Sequence, residues 1–90
     1  MNKQELISKI SEKTGLTKAD VNRVVDGYHE AVMHALKKGD DVRLVGFGTF
    51  LVGHRAATTG RNPRTGATIK IPASKRPKFR PGKQLVDAVN

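Results

Sequence analysis

Apolar positions in the first forty residues recur at helical spacing. Asn2 stands three residues before Glu5, a cap followed by an acid in the first turn. Leu6, Ile7 and Ile10 then mark one face of a helix that Gly15 closes near Thr14. Thr17 caps a second helix, with Leu16 and Val21 at the two positions of a hydrophobic staple. That helix carries Val21, Val24, Val25, Tyr28, Val32, Ala35 and Leu36 at 3.6-type spacing to about Lys38. Gly39 follows two lysines suited to the negative end of the helix dipole. Residues 1–39 are thus predicted to form two antiparallel helices joined by a short turn.

From Asp41 the period shortens. Val42, Leu44, Phe47, Phe50 and Val52 fall in strand-like runs broken by Gly46 and Gly48, which predicts two strands and a turn over residues 40–53. Residues 54–75 have only Ile69 and Ile71 as large apolar side chains, with Gly60, Pro63 and Gly66 clustered centrally. Such a segment cannot bury enough surface to fold onto a core. Its readings are a disordered loop or a projecting hairpin, and Thr58, Thr59, Thr65, Thr68 and the two isoleucines favour the hairpin. Strands of eight or nine residues would reach about 27–30 Å at ~3.3 Å per residue. A returning strand follows over Lys75–Arg80, its 76–80 part rejoining the sheet. Pro81, at a first helical position, opens a last helix over 81–90 with Leu85, Val86 and Val89 turned inward. The fold class is α+β.

Charge changes this picture more than composition does. The chain of 90 residues carries 17 Lys+Arg against 8 Asp+Glu, a formal net charge of +9. The excess lies almost wholly in the second half. Between Val42 and Val86 stand Arg43, Arg55, Arg61, Arg64, Lys70, Lys75, Arg76, Lys78, Arg80 and Lys83, without one acid. A one-signed segment repels itself and is tolerated best when a polyanion neutralises it. The absence of cysteine excludes disulfide scaffolds, thiolate zinc sites and thiol nucleophiles. No apolar run approaches a membrane span and the opening residues are polar, so a soluble intracellular domain is expected. With Tyr28, Phe47, Phe50 and Phe79 as its aromatic residues, the core outside the hairpin is marginal for a lone chain. A homodimer sharing one core is therefore expected, with Phe47, Phe50 and Phe79 in it.

Catalytic patterns come close and fail. His29 and His34 are i, i+5 rather than the i, i+4 of a zinc-binding helix. Gly60 and Gly66 suggest the glycines of a phosphate-binding loop, yet Ala67 takes the lysine position. Gly46-Phe47-Gly48 begins a dinucleotide fingerprint that Leu51 breaks. No catalytic residue, metal site, cofactor or small-molecule substrate is expected, and the chain reads as a binding protein.

The hairpin tip, Gly60-Arg61-Asn62-Pro63-Arg64-Thr65-Gly66, carries the sharper signal. Proline offers a rigid apolar face that can wedge between stacked bases, while arginine and asparagine can bond base edges and phosphates in a narrow minor groove. Lys3 opens the first helix, and Arg80-Pro81-Gly82-Lys83 opens the last. Cations beside free helix N–H groups describe phosphate contacts. A single-strand or RNA module would stack bases on aromatics, and none lies between His54 and Lys78. An anionic membrane would call for a basic amphipathic helix, whereas the cations here lie on the hairpin.

These stretches resemble the bacterial HU/IHF family of histone-like DNA-binding proteins. The likeness runs through Gly46-Phe47-Gly48-Thr49-Phe50, Arg55, Thr58, Gly60-Arg61-Asn62-Pro63 and Thr65. It continues through Ile71-Pro72-Ala73-Ser74-Lys75, Phe79, Pro81-Gly82-Lys83 and the final Asp87-Ala88-Val89-Asn90, and leans towards HU. The resemblance implies an intertwined dimer with a two-helix base, a three-stranded antiparallel β-saddle, protruding β-ribbon arms and a short C-terminal helix. It implies double-stranded DNA as partner, bound with little sequence preference and bent as Pro63 intercalates, in the cytoplasmic nucleoid of a bacterium. The alternative is a sequence-specific bender of the IHF kind, and an identical or paralogous second subunit is left open. Contacts carry over onto Lys3, Arg55, Arg61, Asn62, Pro63, Lys70, Lys75, Arg80 and Lys83, while charge alone adds Arg64, Arg76 and Lys78. Gly53, Thr58 and Val86 depart from the basic residues common in HU.

Overall fold

The computed structural model describes residues 1–90 as two compact units, Met1–His34 and Ala35–Asn90. In the first unit α1 spans Lys3–Thr14 and is followed by α2, Lys18–Lys37, whose last turn enters the second unit. Their boundaries follow from the caps. Asn2 accepts the Glu5 N–H at 2.9 Å, and Thr17 Oγ1 accepts the Asp20 N–H at 3.1 Å. Gly15, at φ +76°, ends α1 by donating to the Ser11 carbonyl. Lys3 on the first turn of α1 reaches Asp26 on α2, and Ile7 and Val21 are buried. They are the only buried apolar side chains of the whole chain. Leu6, Leu16, Val24, Tyr28 and Met33 remain exposed.

The second unit opens where α2 closes. The Asp40 N–H bonds the Ala35 carbonyl and the Gly39 N–H bonds that of Leu36, the paired bonds of a Schellman motif with Gly39 at φ +85°. Three antiparallel strands follow in the order β1 (Val42–Leu44), β2 (Gly48–Arg55) and β5 (Ser74–Pro81); β3 (Thr58–Arg61) and β4 (Thr68–Ile71) pair separately as a ribbon. The chain turns from β1 to β2 through Leu44–Phe47, closed by the Phe47 N–H on the Leu44 carbonyl at 3.0 Å. Gly46 takes the positive φ, +84°, that the third position of a type II turn demands. A short α3, Lys83–Val89, completes the chain. No helix is long and apolar enough to cross a membrane.

Several boundaries differ from those expected. The β2–β5 ladder runs on to Arg55↔Ser74, so the sheet takes in residues assigned above to the arm. The ribbon is also broken at residues 56–57 and 72–73, leaving outer strands of four residues each rather than continuous strands of eight or nine. Pro72 has no N–H to give a ladder, which accounts for the interruption on that side. Pro81 does not start the last helix. It pairs with Gly48 as the final residue of β5, and Gly82 is the N-cap. Pro77 and Pro81 share strand parity on the outer strand, so both turn their missing N–H away from β2. Leu85 on α3 is half-buried, whereas Val86 and Val89 lie open, Val89 at 77%.

The ladder is pinned at Gly48. A Cβ there would lie against Phe79 Cζ and 2.7 Å from both Phe79 Cε1 and the Arg80 carbonyl. Gly48→Ala is therefore expected to destabilise the protein by about 1–3 kcal/mol through overpacking. Thermal unfolding checks this, with a lowered midpoint expected; an unchanged midpoint would show that the ring is free to move aside.

Candidate nucleic-acid interface

Strand alternation sorts the charges. Along β2 and β5 the pairs Phe50↔Phe79 and Val52↔Pro77 share one face, and Val42 and Leu44 of β1 fall on it too. Thr49↔Arg80, Leu51↔Lys78, Gly53↔Arg76 and Arg55↔Ser74 share the other, joined by Arg43 opposite Thr49. One face thus holds Arg43, Arg55, Arg76, Lys78 and Arg80 with no carboxylate, and its reverse is apolar up to the His54↔Lys75 pair near its far end. Both ion pairs of the protein, Lys3–Asp26 and Arg23–Asp20, lie in residues 1–34. None of the five cations has an acidic partner.

On the apolar face Phe79 stacks at a tilt on Phe50 (4.9 Å between centroids) and on Phe47 (5.7 Å). The three rings expected in a shared core thus form one cluster. Phe47 remains 49% and Phe79 39% exposed.

The ribbon repeats the division on a smaller scale. Arg61 and Lys70 share a face with Thr59 and Thr68, while Gly60, Ile69 and Ile71 lie on the other with Thr58. No residue from 54 to 75 is buried. The tip is nonetheless organised. The Asn62 N–H donates to the Ala67 carbonyl and the Gly66 N–H to that of Asn62, both at 2.8 Å. Asn62 Oδ1 accepts the Arg64 N–H at 2.8 Å, an Asx turn that spans Pro63 and leaves its ring exposed. Asn62 therefore has its carboxamide oxygen committed within the loop and its NH₂ free to donate.

A family profile described as bacterial DNA-binding protein matches residues 1–90. This chain belongs to that family, the HU type. It is a family of DNA-binding proteins, not of enzymes. Among its relatives, DNA-binding protein HRL53 of Rhizobium leguminosarum is 58% identical over 90 residues, covering 100% of this chain and 99% of the relative. DNA-binding protein HU of Geobacillus stearothermophilus is 54% identical over 89 residues, 99% of each chain. The fold is similar to that of an Anabaena HU–DNA cocrystal structure, with a TM-score of 0.89, 40% identity, and 99% and 97% of the two chains covered. HU from Thermotoga maritima gives a TM-score of 0.71 at 34% identity over the whole of both chains.

The candidate residues of this HU-type chain fall into separate groups. Arg55, Arg76, Lys78 and Arg80 come together on the sheet, Arg61 and Lys70 on the ribbon, and Asn62, Pro63 and Arg64 at the tip. Lys75 does not join the sheet cations: it pairs with His54 on the face of Phe79. Lys83 is the first residue of α3, and Lys3 belongs to the other unit, where Asp26 Oδ1 holds its ammonium at 2.6 Å. Arg43 also falls on the cationic face, a candidate that sequence reasoning did not single out. Its signal was available, because it sits between the inward Val42 and Leu44 and so must face outward with the opposite set.

The Asx turn yields a test on the free protein. Asn62→Ala is expected to speed hydrogen exchange at the Arg64 amide by removing its acceptor, while the exchange of β2 and β5 amides stays as it was. Unaltered protection at Arg64 would count against the turn as what holds the tip.

Proposed function

We propose that this protein acts as a homodimeric architectural DNA-binding protein of the bacterial nucleoid, binding duplex with little sequence preference and bending it. The observation that carries the reading is the acid-free row Arg43, Arg55, Arg76, Lys78 and Arg80 on one sheet face, followed along the chain by an unburied ribbon whose tip exposes Pro63. Exposed cations without an acidic partner, Arg55 alone among them donating to a backbone carbonyl, that of Pro72, fit phosphates, which are the same on every sequence. Affinity then comes chiefly from counterion release, and log K falls linearly with log salt by about 0.9 for each phosphate neutralised. The crystallisation of an Anabaena HU on DNA supports the assignment of the partner.

Bending is assigned to the tip. Pro63 presents a ring that loses little entropy on insertion between base pairs, and Arg61, Arg64 and the Asn62 NH₂ surround it as groove donors. We assign Lys70, Lys75 and Lys83 to the flanking backbone of the duplex, together with Lys3, whose ammonium keeps two N–H groups beyond its bond to Asp26. Pro63→Ala is expected to reduce the bend, measured by fluorescence energy transfer across a labelled duplex, by a larger factor than it reduces affinity. A bend angle equal to that of the unsubstituted protein would remove the wedge from the mechanism.

The second subunit is inferred from what one chain leaves exposed: Phe47 and Phe79 of the ring cluster, with Val24 and Met33 on α2. At about 25 cal/mol per Å² of apolar surface, covering such residues is worth several kcal/mol. Unfolding is then coupled to association, and the midpoint of denaturation should rise with protein concentration. A midpoint independent of concentration, with a monomer in sedimentation, would contradict the dimer while leaving the DNA contacts intact.

A further inference from the structure

The side chain of Lys78 does not stand over its own strand. Its register partner on β2 is Leu51, yet its outer atoms lie across Gly53, two residues further along. A Cβ built on Gly53 would collide with Lys78 Cε and come within 2.8 Å of Cδ and 3.0 Å of Nζ. The lysine therefore occupies the space that any other residue at position 53 would fill. Arg76 is directly opposite Gly53, and Arg55 follows it on the same face of β2. Three cations thus surround one stretch of bare backbone, where no carboxylate competes for them.

We propose that Gly53 is a positioning residue: by lacking a side chain it lets Lys78 lie across β2, completing with Arg76 and Arg55 a cradle for a single backbone phosphate of duplex DNA at the root of the arm. This rests on the reading that the cationic sheet face binds DNA. Two guanidinium forks and an ammonium match an anion whose unbridged oxygens accept several bonds at once. The lysine supplies charge and the arginines direction. The cost of closing the lane falls on function and not on the fold, because what must move is the far end of a flexible, exposed chain.

The test has two parts. In the free protein, nuclear Overhauser contacts are expected between the Gly53 α-protons and the Lys78 ε-protons; their absence overturns the proposal whatever any variant does. Binding to a random-sequence duplex is then measured against salt for the unsubstituted protein, Gly53→Ala, Lys78→Met and the double variant. Each single variant is expected to keep its melting temperature and to lower the magnitude of the salt slope by about 0.9. At ~0.1 M salt, one decade below 1 M, that slope amounts to about an eightfold loss of affinity. The double variant should bind no more weakly than Lys78→Met alone, since the methyl at 53 acts only through Lys78. Gly53→Ala binding like the unsubstituted protein, or losses that multiply in the double variant, would overturn the cradle. An unsubstituted protein with no salt-dependent affinity for duplex would instead overturn the DNA reading beneath it, a separate and visible result.

Discussion

Sliding β5 by one residue against β2 would carry Arg76, Lys78 and Arg80 onto the face of the phenylalanines and turn Phe79 out among the cations, because side chains alternate along a strand with a period of two. Everything the second unit offers a partner depends on that slip being prevented. The Phe79 ring lies over the bare α-carbon of Gly48, and the turn through Gly46 delivers β2 to that point. Beyond it, Gly82 donates to the Phe47 carbonyl at 2.8 Å, and the main chain there is so close that a Cβ would lie 3.0 Å from the Phe47 carbonyl carbon. Three glycines thus lock the end of the ladder next to α3, and strand alternation carries the lock to the far end.

A face of cations without acids costs less than it first suggests. Same-face neighbours along a strand sit about 6.6–6.8 Å apart at the backbone. Two unit charges at ~7 Å in water repel by roughly 0.6 kcal/mol, and physiological salt with its Debye length of about 8 Å reduces that. A few such pairs are small beside a typical folding stability of about 5–15 kcal/mol. The protein can therefore carry the row without a bound polyanion, and in the proposed complex intervening phosphates would relieve the repulsion. The first half of the chain is built differently. Lys3 and Arg23 are matched there by Asp26 and Asp20, and that unit carries no uncompensated row.

What could be read from the sequence follows the range of the interactions that decide it. Caps and breaks are local, and Asn2, Gly15, Thr17 and Gly39 all act within a few residues of the bonds they make, so the helices were legible nearly to the residue. The charge asymmetry and the exposed tip are properties of composition and were legible too. Pro81 was misread because its local preference for a first helical turn is overridden by a partner 33 positions away, Gly48. The break in the ribbon likewise depends on two strand ends failing to pair, which neither strand announces by itself. Lys3 looked free because Asp26 lies 23 residues on and belongs to another helix. Sorting Arg43 and Lys75 onto opposite faces needed only alternation, but alternation is informative only after the register is known.

The two faces of the sheet are one strand thick and share every backbone bond, which links the functions proposed for them. A phosphate shared between Arg55 of β2 and Arg76 and Lys78 of β5, as proposed, would restrain β5 against β2, and those strands position Phe79 against Phe50 and Phe47 on the reverse side. A ligand that favours the ordered ladder favours whatever else requires that ladder, in proportion to its preference for the ordered state. On the proposed reading, DNA on the cationic face would strengthen association through the aromatic face, and association would in turn present two cationic faces to one duplex. In that proposed arrangement the marginal core of a single chain would serve the function, since the sheet would gain stability from the covering of each of its surfaces.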